Sequence, residues 1–334
     1  MGGLHYDGLA SYKSYDLAWL GPILYPLVFA VIAQALVYHD MCRATCNAKA
    51  EMGPLSRRLT RLSGDAPPPD ARVTLITLIV MLSETTFAIF CLLQCIVNFA
   101  TRSFLGGAAA CDLQAFYATY YTFSSVGVFA VATLFGARIV ITEGTCCLFK
   151  LPIVAAAGVA VHGGALLLAA LPLMGVGEYL FATDYCQYNV EGTGYSVLVF
   201  VCLLVGLVII VASTVAVLRV GSKPCVTLPV CSTNGAEAQQ SSELRRSTAQ
   251  LFCASSLYYA ASWLTTIVII CLYWANGEVF SSAQWRVYGA QALILHSNQL
   301  VVPLLIGLWW RHLMNGVLEK AKTKGVSLDV GSQA

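Results

Sequence analysis

Charged side chains are scarce in this chain. Asp, Glu, Lys and Arg make up 11% of its 334 residues, whereas an average soluble domain has about 25%. Hydrophobic residues make up 58%, which is more than a soluble surface allows. This composition excludes a soluble enzyme, a disordered chain and a nucleic-acid-binding protein. It favours an α-helical protein that crosses a membrane several times.

Seven stretches are long and apolar enough to cross a bilayer, since a helix needs about 20 apolar residues to do so. Six of them contain no Asp, Glu, Lys or Arg, and the second contains only Glu84. We therefore predict an all-α, seven-transmembrane helix bundle. Its predicted spans are Leu17–His39, Val73–Ala100, Leu113–Ala137, Leu151–Gly177, Gly192–Leu218, Ser247–Gly277 and Val287–Trp310.

The distribution of cations orients these spans. Of the 19 Lys and Arg side chains, 16 fall on one side of the predicted bundle, and only Lys13, Arg102 and Arg286 fall on the other. Lys and Arg favour the cytoplasmic side, so the N-terminus is expected outside. We predict a multi-pass protein of the cell membrane, in contact with lipids. It would have an outer N-terminus (1–16), a bundle (17–310) with inner loops at 40–72, 143–150 and 219–246, and an inner amphipathic eighth helix and tail (311–334).

Two of the 13 cysteines are expected on the oxidising outer face. Cys111 starts the third span, and Cys186 lies in the loop between the fourth and fifth. Disulfides persist only on that side of the membrane, so we predict a bond between these two. The alternative is a pair of free outer thiols.

The order and spacing of several motifs resemble those of rhodopsin-like (class A) G-protein-coupled receptors over nearly the whole chain. The resemblance is opsin-like in the third and fourth spans. It is carried by the segments Cys111–Thr119, Ala169–Gly175, Asp184–Tyr188, Ser262-Trp263, Asn298–Pro303 and Trp310–Leu313. It implies a receptor, not an enzyme, that transduces a ligand to a heterotrimeric G protein.

The chain departs from the family at the positions that meet the G protein. The family's acidic-Arg-aromatic triplet becomes Ala137-Arg138-Ile139, and Gly136 stands where its arginine usually lies. The tyrosine expected after Pro303 is missing. By resemblance Arg138 and Pro303 would serve coupling. Either basal activity is raised, or coupling is absent and the protein is a scaffold or decoy receptor. A seven-helix transporter is a further alternative.

Glu84 is the strongest lead to mechanism, because a carboxylate in the middle of a membrane costs several kcal/mol. By resemblance it aligns with the acidic residue that binds sodium in class A receptors. The same alignment brings Ser125 and Asn298 to that site, beneath Trp263. We predict a polar cluster that holds Na⁺ or a proton and biases two packings of the bundle. The alternative is a protonated Glu84 that serves helix packing alone.

The resemblance also implies a ligand pocket in the outer half of the bundle. Ala118 replaces the aspartate that amine receptors need, and His296 replaces the lysine to which opsins attach retinal. A cationic amine and covalent retinal are therefore not expected, and a neutral or lipid-like ligand is. The residues expected to line the pocket are Gln114, Ala118, Thr122, Trp263, Thr266, Ala292 and His296.

The histidines and tyrosines of the predicted spans are interpreted mainly as packing residues. His162 and His296 are read as hydrogen-bonded packing residues, with proton or metal binding as the alternative. Tyr117, Tyr120 and Tyr121 are read mainly as packing residues. No metal motif, nucleotide loop or catalytic triad is found in the sequence.

Overall fold

A computed structural model of the chain describes residues 17–51, 71–101, 107–142, 151–182, 185–190, 194–221, 235–276, 290, 293–305 and 307–308. Within these residues lie seven helices and one small hairpin, which confirms the predicted seven-helix bundle. The helices are α1 (Leu17–Glu51), α2 (Ala71–Thr101), α3 (Gly107–Thr142), α4 (Leu151–Ala170), α5 (Gly194–Gly221), α6 (Gly235–Asn276) and α7 (Leu293–Leu305). The predicted eighth helix and the outer N-terminus lie outside the described residues.

Six of the helices are long and apolar enough to cross a membrane, and α7 is a shorter apolar helix within its described residues. Their outward faces carry large apolar side chains that water would not tolerate. Val159 and Leu167 on α4 are 73% and 70% exposed, for example. A helix that is apolar on all sides is expected where lipid surrounds the protein. The chain is therefore a multi-pass membrane protein.

Several helix ends differ from the predicted spans. On the inner side, α1 continues to Glu51 and α6 begins at Gly235, so both extend into segments that we predicted as inner loops. These extensions are polar and helical, and a hydropathy pattern cannot distinguish them from a loop. On the outer side, α4 ends at Ala170, and a 3₁₀ turn (Pro172–Met174) occupies part of the predicted fourth span.

The predicted outer loop between the fourth and fifth spans contains a hairpin that the sequence did not indicate as strands. Strands β1 (Tyr179–Ala182) and β2 (Tyr185–Tyr188) pair antiparallel, with Phe181 opposite Cys186. Gly177 leads into it with a φ of 89°, and a Cβ at this position would lie 2.8 Å from Cβ of Tyr195. Only glycine combines this left-handed backbone with such a close approach.

The third helix forms the centre of the bundle and packs against α2, α4, α5, α6 and the hairpin. Its approach to neighbouring helices depends on small residues. A Cβ at Gly206 of α5 would lie 2.3 Å from Val126 Cγ1, and a Cβ at Gly127 would lie 2.8 Å from Val161 Cγ1. Glycines of this kind let helix backbones approach closely in membranes. They hold α3 between α4 and α5, and so fix the positions of its inward-facing polar side chains.

Candidate functional site

The outer end of α3 is joined covalently to the hairpin. Cys111 and Cys186 form a disulfide with a Cα–Cα distance of 5.2 Å, which confirms the predicted bond and excludes two free thiols. Next to it, the backbone N–H of Cys186 donates to Oε1 of Gln114 at 2.9 Å. The hairpin therefore lies over the outer end of the bundle, held by one covalent bond and one hydrogen bond to α3.

Two further hydrogen bonds tie this outer segment to other helices. The Tyr179 hydroxyl donates to the carbonyl oxygen of Ala169 in α4, and Nε1 of Trp274 in α6 donates to the carbonyl oxygen of Val190 at 3.1 Å. Burial raises the pKa of Tyr179 to about 12, so this hydroxyl keeps its proton at neutral pH. The hairpin and its flanks are thus fixed to α3, α4 and α6.

The residues predicted to line a ligand pocket are placed as follows. Gln114 and Trp263 are buried, while Ala118, Thr122, Thr266 and His296 are half-buried. Two of the polar groups already have protein partners, because Gln114 binds the hairpin and the Thr122 hydroxyl donates to the carbonyl oxygen of Ala118 at 2.9 Å. Ala292 lies outside the described residues. None of the described members is charged at neutral pH unless the His296 imidazole is protonated.

Aromatic rings connect this region to the middle of the bundle. Phe87 of α2 stacks on Tyr121 of α3 with ring centroids 3.9 Å apart, and its centroid lies 5.8 Å from that of His296 on α7. Tyr121 also lies 6.0 Å from the Trp263 ring on α6. These stacked and tilted pairs join α2, α3, α6 and α7 at one level.

Glu84 contacts the hydroxyl of one of these rings, Tyr121, and is only 1% exposed. Each of its carboxyl oxygens has a hydroxyl partner on α3. Ser125 Oγ lies 2.6 Å from Oε1, and Tyr121 Oη lies 2.7 Å from Oε2. On α6, Tyr259 Oη lies 2.6 Å from the same Ser125 oxygen. The structure therefore brings Glu84 and Ser125 together as predicted, and adds two tyrosines.

The polar cluster continues into α7 and α1 through Gln299. Its side-chain amide lies 2.7 Å from Tyr121 Oη, and its backbone carbonyl oxygen accepts a hydrogen bond from Gln34 Nε2 at 2.6 Å. Asn298, the predicted third member, is buried, yet neither atom of its side-chain amide has a partner among the described residues. The structure thus joins α7 to Glu84 through Gln299, and it does not bring Asn298 into hydrogen-bonding contact with Glu84 or Ser125.

Three members of this cluster were not identified as functional candidates from the sequence. Tyr121 lies four residues before Ser125, and Tyr259 lies four residues before Trp263. Residues four apart share a helix face, so this spacing from residues already selected was the available signal. Gln299 is adjacent to Asn298 and carried no signal of its own, because the choice between them depends on the rotation of α7.

At the inner half of the bundle, α3 and α6 approach closely at the position where the family has its arginine. A Cβ at Gly136 would lie 2.6 Å from Cε2 of Phe252. Arg138 is exposed in the next half-turn, and Pro303 of α7 is buried. Their predicted role in coupling stays a prediction.

A small cavity lies beside this contact, between α2, α3 and α6. Its volume is about 30 Å³, and Val80, Phe129 and Ser256 are among the residues that line it. The hydroxyl of Ser256 is buried and has no partner among the described residues. This volume is sufficient for about two water molecules. The cavity therefore leaves space beside the inner half of α6.

The helix order, the disulfide from α3 to the hairpin and the aromatic rings around Trp263 define a rhodopsin-like seven-helix membrane bundle. The crystal structure of squid rhodopsin has this fold, with a TM-score of 0.66, 13% sequence identity, and coverage of 92% of this chain and 86% of that one. No family model matches the sequence, and no curated protein matches it significantly. The likeness to squid rhodopsin establishes the fold.

The two histidines selected from the sequence, His162 and His296, have different surroundings. His162 Nδ1 hydrogen-bonds the Tyr120 hydroxyl at 2.7 Å, as expected of a packing residue. His296 Nε2 lies 3.8 Å from Sγ of Cys91. The described residues contain no group of three or more His, Cys, Asp or Glu side chains that could hold a metal ion.

Proposed function

We propose that this chain is a receptor of the G-protein-coupled type in the cell membrane, with its N-terminus outside and its C-terminus inside. It transduces a neutral or lipid-like ligand to a heterotrimeric G protein. The observation that carries the proposal is the disulfide-linked hairpin above the buried Trp263, within a rhodopsin fold. The hairpin contains the outer disulfide, and disulfides persist outside the cytoplasm, which supports this orientation.

The ligand class follows from what the outer half of the bundle offers. The described candidate residues give neutral hydrogen-bonding groups and aromatic rings, and no carboxylate to neutralise a cation. A neutral amphipathic molecule matches such a lining. The hairpin lies across the aqueous end of this region and is held to α3, α4 and α6. A ligand of this class would therefore enter between helices from the lipid.

The inner half offers a route from ligand to partner. Trp263 and Phe252 lie on the same helix, so a shift of α6 at the tryptophan would move the phenylalanine against Gly136. The adjoining cavity of about 30 Å³ gives the inner half of α6 room to repack. Such a shift would open the inner face of the bundle beside Arg138, where a G protein would bind.

We expect constitutive G-protein signalling in cells that express the chain, and we expect Arg138→Ala to reduce it about tenfold, equivalent to about 1.4 kcal/mol of binding free energy. The reason is that an exposed arginine at the inner end of α3 is a strong contact residue for a protein partner. The measurement is second-messenger or nucleotide-exchange activity, normalised to the amount of receptor at the cell surface.

Arg102→Ala serves as the matched control, because Arg102 is predicted on the outer side and should leave signalling unchanged. Equal background signals from the unmodified chain and from both variants, with all three present at the surface, would contradict G-protein coupling. The scaffold or decoy receptor would then be the better description.

A further inference from the structure

A sodium ion at Glu84 does not fit the residues around it. A hard cation needs several oxygens that face a shared space. Here both carboxyl oxygens of Glu84 are already in contact with hydroxyls, at 2.6 Å from Ser125 and 2.7 Å from Tyr121. The hydroxyls of Ser125 and Tyr121 occupy the positions around the carboxyl oxygens that an ion would need.

We propose that Glu84 binds a proton in place of a cation, and that the neutral carboxylic acid donates a hydrogen bond to Tyr121. The proposal concerns the resting state of the bundle, and it does not depend on whether the chain couples to a G protein. It rests on the direction of each hydrogen bond in the cluster.

The direction of the first bond follows from the orientation of the Gln299 amide. In one orientation, Nε2 faces Tyr121 Oη at 2.7 Å, and Oε1 then lies against the carbonyl oxygens of His296 and Leu295, which are both acceptors. In the reversed orientation, Nε2 donates to these two carbonyl oxygens at 2.6 and 3.2 Å, and Oε1 accepts from Tyr121. Only the reversed orientation pairs donors with acceptors, so it is the one the hydrogen-bond network supports.

This orientation fixes the hydrogen of Tyr121. A phenol has one hydrogen to donate, and here it goes to Oε1 of Gln299. The Tyr121 oxygen still lies 2.7 Å from Oε2 of Glu84, so a hydrogen must lie between these two oxygens as well. Glu84 is the only group at this contact that can supply it, which it does when its carboxyl group is protonated.

The other half of the cluster is consistent with the same state. Oε1 of Glu84 accepts from Ser125, and the Ser125 oxygen in turn accepts from the Tyr259 hydroxyl at 2.6 Å. Each group therefore donates to the next one in the order Tyr259, Ser125, the Glu84 carboxyl group, Tyr121 and Gln299. Each hydrogen is donated once. Such a directed network is satisfied without a net charge in the membrane, where an unpaired charge is costly.

The titratable groups that face Glu84 are the hydroxyls of Tyr121 on α3 and Tyr259 on α6. His39 and Asp40, whose side chains lie 3.8 Å apart, are paired with each other on the inner half of α1. Arg138 lies thirteen residues beyond Ser125, which is about 20 Å along the helix. Within the described residues, then, no contact supplies a cation that would neutralise an ionised Glu84.

The first test is infrared spectroscopy of the purified full chain in lipid nanodiscs at neutral pH. We expect a carbonyl-stretching band of a protonated carboxylic acid that is absent in Glu84→Gln, since solvent-exposed carboxyl groups are ionised at this pH. Tyr121→Phe should shift this band, because it removes the oxygen that accepts the carboxyl hydrogen. Tyr117→Phe is the matched control one turn away on α3, and it should leave the band in place. Absence of the band from the unmodified chain would overturn the proposal.

The second test is thermal unfolding in sodium chloride and in choline chloride at equal ionic strength. We expect the same Tm in both salts, within about 2 °C, for the unmodified chain and for Glu84→Gln. Glutamine has an acceptor and a donor where the protonated acid has them, so this variant should fold. A Tm that rises in sodium and loses this rise in Glu84→Gln would show a cation site and refute proton binding.

Discussion

Replacing Cys111 with serine is expected to remove most of the correctly folded receptor from the cell surface. The substitution breaks the bond to Cys186 and opens a loop that spans 75 residues of sequence. Loss of a native disulfide costs about 2–5 kcal/mol of folding free energy. That is a large share of the roughly 5–15 kcal/mol that separates a typical folded protein from its unfolded state.

The structure explains why the loss should extend beyond the loop itself. Both cysteines are fully buried, so the variant leaves an unpaired thiol next to the hydrogen bond between Gln114 and Cys186. We expect the hairpin to detach from α3 and expose Tyr179 and Tyr188, whose rings are buried beneath it. The measurement is surface expression together with the Tm of the purified fraction.

Cys271→Ser is the matched control for this experiment. Cys271 is an exposed free cysteine on α6, so its replacement should leave both surface expression and Tm unchanged. If Cys111→Ser behaves like Cys271→Ser, the disulfide does not hold the outer surface of the bundle together.

Gly206→Ala is expected to lower the Tm of the purified protein by several degrees. The added Cβ would lie 2.3 Å from Cγ1 of Val126, which is itself buried at the centre of the bundle. Since the added methyl group and the Val126 side chain would both be buried at this contact, α5 must move away from α3. Overpacking of this kind costs about 1–3 kcal/mol.

Gly163→Ala on α4 is the comparison that separates packing from helix propensity. A Cβ at Gly163 meets nothing within 4 Å. Alanine stabilises a helix relative to glycine by about 1 kcal/mol, so this variant should have an unchanged or slightly raised Tm. A loss of stability as large as that of Gly206→Ala, at a position where the added Cβ meets nothing, would mean that the contact with Val126 is not what destabilises Gly206→Ala.

The sequence predicted the fold well because the bilayer restricts it so strongly. Long apolar stretches predicted seven helices, and the disulfide followed from the two cysteines placed on the oxidising side. The bounds were less accurate where polar residues continue a helix beyond the membrane. The segment 235–246, predicted as part of an inner loop, is the beginning of α6.

The candidate site was predicted only in part. Glu84 was identified because a carboxylate in a span is costly, and Ser125 followed from the family resemblance. Tyr121 and Tyr259 were not identified, since a tyrosine in an apolar helix carries no evident cost. The sequence does not distinguish a hydroxyl that faces lipid from one that faces the core. The choice of Gln299 over Asn298 depends on a rotation of about 100° per residue around α7, which the sequence alone does not determine.

The length of α6 has a mechanical consequence. The helix has 42 residues, from Gly235 to Asn276, whereas its membrane-spanning part begins only at Phe252. With a rise of 1.5 Å per residue, about 42 Å of continuous helix separates Trp263 from the inner tip. A tilt of about 10° pivoting at the tryptophan would displace that tip by roughly 7 Å. The helix thus acts as a lever, in which a small tilt at the tryptophan becomes a displacement of more than half the diameter of a helix, which is about 10–12 Å.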